Sequence, residues 1–209
     1  DEGAGKRDDD RRQPQIGHDG ADDGTDRKAG EANAAGIVYV PADRKHEGLV
    51  LPHSIASNLI LPSLGRLASK GLRDRPAENG LVADLARRLT IKGDTARPVQ
   101  ALSGGNQQKV ALAKWLPLDP SVLLLNDPTR GVDIETKREI YLMLRAFAAE
   151  GRLVILASSD TPELVHLCDR VVVLREGRVA AALSQDEISE GAIVGAAMGI
   201  TAATQGEAA

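Results

Sequence analysis

The apolar positions change character along the chain. Up to residue 35 they are nearly absent, and Ile16 is the only large aliphatic among Asp, Gly, Arg and Ala. Such a stretch buries too little apolar surface to offset its ordering entropy, so residues 1–35 read as a disordered tail. Order begins at Gly36. Ile37-Val38-Tyr39-Val40 is a short apolar run stopped by Pro41, which predicts a strand. Residues 43–75 are loop-rich, with weak helical stretches near 54–60 and 63–69. Residues 77–90 place Leu81, Val82, Leu85 and Leu89 on one face of a helix, with Gly93 as a stop signal.

From residue 103 the pattern becomes strand–helix alternation. Residues 104–116 read as helix and Ser121 to Leu125 as a buried strand. Residues 134–149 form a strong helix: Ile140, Met143, Leu144 and Phe147 recur at helical spacing, and Asp133 is its N-cap. Leu153 to Ala157 is a second buried strand. Asp160-Thr161-Pro162-Glu163 combines a cap, an early proline and a first-turn acid, which starts another helix. Val171 to Leu174 and Arg178 to Leu183 flank Glu176-Gly177 and predict a hairpin. A short helix near 186–198 follows, then a flexible tail over 199–209. The layout is α/β over residues 36–198, with a helical subdomain at about 54–116 and no internal repeat.

Composition sharpens this picture. Trp115, Tyr39, Tyr141 and Phe147 are the only aromatics, so the core is aliphatic, as in a parallel sheet under helices. Cys168 is the sole cysteine, which rules out a disulfide within the chain and fits a reducing compartment; it reads as a small core residue. No apolar run approaches the ~20 residues that cross a bilayer. The chain starts at Asp1 with no apolar leader, and reads as a fragment or processed product. The net charge of −4 sits in the tail, where ten acids face six bases; the remainder carries twenty of each. A neutral body gives no electrostatic case for nucleic acid. His18, His46, His53 and His166 are scattered and have no ligand spacing.

Two strings carry chemistry. In Leu102-Ser103-Gly104-Gly105-Asn106-Gln107-Gln108-Lys109, Ser103 caps a helix whose first turn is nearly bare. Exposed N–H groups, the helix dipole and two glycines make an anion site. The plain alternative is an ordinary capped helix, but Gly-Gly in a helix costs roughly 1 kcal/mol per glycine and needs a reason. The second string, Val122-Leu123-Leu124-Leu125-Asn126-Asp127-Pro128-Thr129-Arg130-Gly131-Val132-Asp133, ends a strand where α/β sheets place ligands. Near the N-terminus, Gly3-Ala4-Gly5-Lys6-Arg7 lacks the preceding strand and the glycine spacing of a phosphate loop.

With Tyr39-Val40-Pro41-Ala42-Asp43-Arg44-Lys45 and Ser158-Ser159-Asp160, these strings resemble the second nucleotide-binding domain of the ATP-binding cassettes of bacterial monosaccharide importers. The resemblance covers residues 36–198 and implies an α/β core like that of the P-loop NTPases, without its Walker A strand and loop. It implies that Ser103, Gly104, Gly105, Asn106 and Gln107 face the terminal phosphate of ATP, held with Mg²⁺ by a partner nucleotide-binding domain, with Asp133 touching across the dimer. It also implies a membrane permease, indirectly a periplasmic sugar-binding protein, and a peripheral place on the cytoplasmic face of the bacterial inner membrane. Leu49, Val50, Leu51 and Leu59 either meet the permease or fill the helical subdomain.

The departures bear on hydrolysis. Asn126 stands where the family has the Mg²⁺-supporting aspartate and Asp127 at the general-base glutamate, or, with the pairing shifted by one, Asp127 at the aspartate and Pro128 at the base; either way one acid is lost, and Ser159 stands at the switch histidine and Ala42 at the Mg²⁺-sensing glutamine. These losses imply that the chain alone hydrolyses ATP poorly or not at all. Two other readings stand beside a composite ATP site: a catalytically dead truncated cassette, and a regulatory module on the same scaffold.

Overall fold

The computed structural model describes residues 25–69, 72–91 and 94–200. His18 and the Gly3–Arg7 string lie outside them, as do most of the two predicted tails. The first described element departs from expectation. Thr25–Ala34 is a helix, α1, where an unstructured tail is predicted. Its end explains it: the Gly36 N–H donates to the Asn33 carbonyl at 3.1 Å, and Gly36 takes φ +78°, a left-handed stop that glycine adopts without strain.

Ile37–Val40 (β1), Val122–Asn126 (β4) and Leu153–Ala157 (β5) form a parallel sheet in the order β1-β4-β5. Ile37 lies beside Val122, and Val122 beside Leu153. Side chains alternate between faces. Val38, Val40, Leu123 and Leu125 point to one side, where Leu112 of Gly104–Ala113 (α4) and Ile140, Leu144 and Phe147 of Ile134–Ala149 (α5) cover them. The other face stays open: Tyr39 is 50%, Leu153 53% and Ile155 51% exposed. β5 is therefore not the buried strand its sequence predicts, because among the described residues only one layer of helices lies on the sheet.

The helical subdomain has its own core. Ile55–Ile60 (α2) and Arg75–Arg88 (α3) bury Ile55, Leu59, Val82 and Leu85 against Val99 and Val110. Full burial of one such aliphatic side chain contributes about 1.5–3 kcal/mol. Leu49 and Leu59 belong to this core, Leu51 packs on it partly buried, and Val50 is exposed. The stretch near 63–69 is not helical: Leu61–Ser63 is a single 3₁₀ turn, and Ala68–Ser69 (β2) pairs with Leu72–Arg73 (β3). Asp74 caps α3, and the Arg73 guanidinium grips buried Glu78 through two hydrogen bonds of 2.6 and 2.8 Å. Asn58 is buried and holds the loop before it, accepting from Val50 N–H and donating to the carbonyls of Val50 and Ser54.

Thr161–Leu167 (α6) leads to the antiparallel pair Arg170–Arg175 (β6) and Arg178–Ser184 (β7). Glu176 and Gly177 both take positive φ, 51° and 73°, the geometry of a type I′ turn. Val171 and Val173 pack against Ile193 of Glu190–Met198 (α7), with Cys168 partly buried beside them. Burial and two neighbouring carboxylates push the Cys168 thiol up, which disfavours the nucleophilic thiolate.

Candidate functional site

The start of α4 is built as its sequence implies. Ser103 Oγ accepts from the Asn106 N–H at 3.4 Å and from its side-chain amide at 3.1 Å. Ser103 caps the helix and Asn106 is turned back onto the cap. Gly105 has a firm steric reason, whereas at Gly104 the closest neighbour is the movable end of Arg44. A Cβ on Gly105 would lie 2.6 Å from Thr136 Oγ1 and 2.7 Å from its Cγ2, so the first turn of α4 rests directly on the first turn of α5. A Cβ on Gly104 would lie 2.8 Å from an Arg44 guanidinium nitrogen and 3.4 Å from the Gly131 carbonyl oxygen. Arg44 also donates to the Arg130 carbonyl at 3.1 Å. Three segments thus meet at one helix N-terminus: the stretch after β1, the start of α4, and the Thr129–Asp133 loop.

Gln107 does not face this opening. It is buried, and its amide donates to the Leu102 carbonyl at 3.0 Å, because the fourth position of the helix turns toward the protein. Asp133 is held by its own helix. Its carboxylate accepts from Thr136 N–H at 2.9 Å and Thr136 Oγ1 at 3.0 Å, and these bonds keep it below the ordinary aspartate range.

At the carboxyl end of β4 the structure brings Asp127 and Ser159 together. Asp127 Oδ1 accepts from the Ser159 N–H at 2.6 Å and from its hydroxyl at 2.9 Å. Asp127 takes φ +43°, a left-handed conformation that aspartate tolerates better than most residues. Asn126 is not part of this pair; its amide donates to the Tyr39 hydroxyl at 3.4 Å.

The loop after β5 holds two features the sequence hides. Asp160 begins α6 without capping it, because its carboxylate is taken by Lys137 of α5 at 2.5 Å. That pairing holds Asp160 below, and Lys137 above, its ordinary range. Glu163, the first-turn acid, points inward: Thr129 Oγ1 donates to it at 2.9 Å and Ser158 Oγ at 2.5 Å. No cysteine or glycine pattern marks it, and of its two partners Ser158 lies five residues before it and Thr129 34 positions away.

The residues fit a nucleotide's two parts unequally. The start of α4, with small side chains and the Arg44 charge beside it, suits a phosphate. The end of β4 does not suit Mg²⁺: it offers a neutral amide and a carboxylate already engaged by Ser159. Among the described residues no three acids, histidines or cysteines stand together as metal ligands. A groove of about 550 Å³ between α3 and α5, floored by Leu85, Leu89, Met143 and Phe147, lies away from all of this. Its charged rim is already paired, Arg88 with Asp84, Lys109 with Glu139 and Arg152 with Asp119, so it offers no free group to a ligand.

A one-sided parallel sheet, a glycine-rich helix start and an acidic loop at the strand end define a class, and comparison with known proteins agrees. The model of the ABC transporter family matches residues 11–130, and this chain belongs to that family. It is similar to the ribose import ATP-binding protein RbsA 2 of Rhizobium meliloti, 47% identical over 180 residues, which cover 86% of this chain and 35% of that protein. It is also 46% identical over 173 residues to RbsA 2 of Streptomyces avermitilis, covering 82% of this chain and 34% of that protein. The chain thus spans about a third of the length of the curated relatives it matches. Among solved structures, the dimeric ATP-binding cassette MJ0796 in a post-hydrolysis state with ADP and Pi shares the fold. The TM-score is 0.60 at 22% identity, over 71% of this chain and 62% of that one. The cassette MJ1267 in its ADP conformation gives 0.60 at 16% identity, over 79% and 67%.

Proposed function

We propose that this chain is the ATP-binding portion of the motor of a carbohydrate importer, and that it supplies the signature half of an ATP site completed by a partner cassette. One observation carries the reading: an intact helix start at Ser103-Gly104-Gly105 beside a strand end that has lost its hydrolytic set. Ser103 and the first-turn amides of α4 would bind the terminal phosphate, oriented by the α4–α5 contact at Gly105 and Thr136. Arg44 adds positive charge at that point. Asp133 reaches a partner only while also capping α5, so its part in a dimer is to fix the helix start. ATP supplies the bond whose cleavage drives transport, and Mg²⁺ would arrive with it on the partner's phosphate loop; no step is assigned to Asn126, Asp127 or Ser159.

The similarity to ribose import proteins supports a pentose as cargo, a membrane permease and periplasmic binding protein as partners, and a peripheral place on the cytoplasmic side of the membrane. The described residues include no helix long and apolar enough to cross a bilayer. The experiment is ATP turnover of the purified chain with Mg²⁺, alone and mixed with a complete cassette. The expected result is negligible turnover alone and nucleotide-dependent association with the complete cassette. Turnover alone at the rate of a complete cassette overturns the proposal. Association with neither cassette nor permease favours the dead-remnant reading.

A further inference from the structure

Glu163 is a buried acid with no cation in hydrogen-bond contact among the described residues. It is 1% exposed, and Thr129, which donates to it, is 1% exposed as well. The other buried acid among those described, Glu78, is matched by an arginine. Burying a carboxylate is costly unless its lone pairs are filled, and Glu163 fills them with two hydroxyls from different loops. Thr129 belongs to the loop after β4, which runs on to Gly131 beside Gly104 and to Asp133. Ser158 belongs to the loop after β5, and the next residue, Ser159, holds Asp127 through both its N–H and its hydroxyl. Lys137 and Asp160 form their ion pair on the same side, and Tyr141 and Cys168 lie within reach of the Glu163 charge.

We infer that Glu163 is a positioning residue that locks these two loops into one unit, so that displacement of the Thr129–Asp133 loop is transmitted to Ser159 and the Asp127 carboxylate. The carboxylate is the only direct side-chain link the described residues show between the Thr129 and Ser158 hydroxyls. The part this lock plays in an ATP cycle rests on the function proposed above. The lock itself is measured without nucleotide, so each idea fails separately.

The test is amide hydrogen exchange on the full 209-residue chain, comparing wild type with Thr129→Val, Thr129→Ser, Glu163→Leu and the double variant Thr129→Val/Glu163→Leu. The Ser159 N–H is the reporter, and the amides of β4 measure opening of the whole domain. Loss of one hydrogen bond to a charged group predicts roughly tenfold faster exchange at Ser159 in Thr129→Val, beyond any change in β4. Thr129→Ser, which keeps the hydroxyl, restores the wild-type rate. In the Glu163→Leu background, where neither hydroxyl has an acceptor at this position, the valine substitution adds little. If Thr129→Val speeds Arg130 and Val132 but leaves Ser159 unchanged, or acts equally in both backgrounds, the lock does not exist. Should Thr129→Val fail to fold, Glu163→Asp replaces it: the shorter acid cannot reach both hydroxyls, and unchanged Ser159 exchange there also overturns the inference.

Discussion

Replacing Gly105 by alanine tests the contact on which the candidate site is built. The new Cβ would sit 2.6 to 2.9 Å from three side-chain atoms of Thr136. Thr136 cannot swing away cheaply: it is β-branched, and Asp133 grips both its N–H and its hydroxyl. Either α4 moves off α5 or the Asp133 cap breaks. Overpacking of this kind costs about 1–3 kcal/mol, against at most about 1 kcal/mol gained from alanine's helix propensity. With the full propensity gain, the net prediction is a loss of up to about 2 kcal/mol. Gly80→Ala in α3 is the control, since nothing lies within 4 Å of its Cβ and only the propensity gain applies. Urea unfolding followed by circular dichroism reads both as shifts in midpoint at constant slope. Thr136→Ala removes two of the three clashing atoms and should recover part of the Gly105→Ala loss in a double-mutant cycle. If Gly105→Ala stabilises the chain as much as Gly80→Ala does, α4 and α5 do not meet at this point, and the geometry argued for the helix start fails with it.

Other outcomes follow from single residues. Lys114 is buried, donates to the Gly48 carbonyl at 2.5 Å, and burial lowers its pKa to about 8. Its unfolded value is higher, so the unfolded chain binds more protons between the two; wild type should gain on Lys114→Met as pH rises from about 8 to 10.5, by up to about 3 kcal/mol in denaturation midpoints. Asp133→Ala should destabilise the chain at neutral pH. Because the folded-state pKa of Asp133 is depressed, that difference should fade as pH drops below 3.8, and thermal melts down an acid series check it. Leu59→Ala should cost about 2–5 kcal/mol and Val50→Ala under about 1, because Leu59 is fully buried and Val50 exposed; equal losses would contradict the assigned core.

Where a pattern was long and periodic, the sequence specified its element closely. Residues 134–149 form the expected helix and 153–157 the expected strand, though not its burial, because apolar spacing, an N-cap and β-branched residues agree with one another. The 63–69 stretch, weakened by Gly65, had no such agreement and became a 3₁₀ turn and a strand pair. The tail helix escaped because composition averages over a window, whereas Thr25–Ala34 depends on a stop at Gly36. The helix start at Ser103 was legible because glycines at a capped first turn need a reason, but Thr136, which supplies it, is 31 positions from Gly105 in the sequence. The inward turn of Glu163 was illegible for the same cause. A first-turn acid fits a solvated helix end equally well, and only the fold brings Thr129, 34 positions away, to it.

The sheet face left uncovered among the described residues governs how this chain can be handled. Among the described residues, Ile37, Tyr39, Leu153 and Ile155 present to water what parallel sheets ordinarily hide, and β1 and β5 are both edge strands. Contiguous apolar surface of that kind drives association as concentration rises. Protein concentration, mild detergent and salt thus become experimental variables in every assay of this chain, and a melting temperature that climbs on dilution with a soluble apolar additive would report that face, not the nucleotide chemistry.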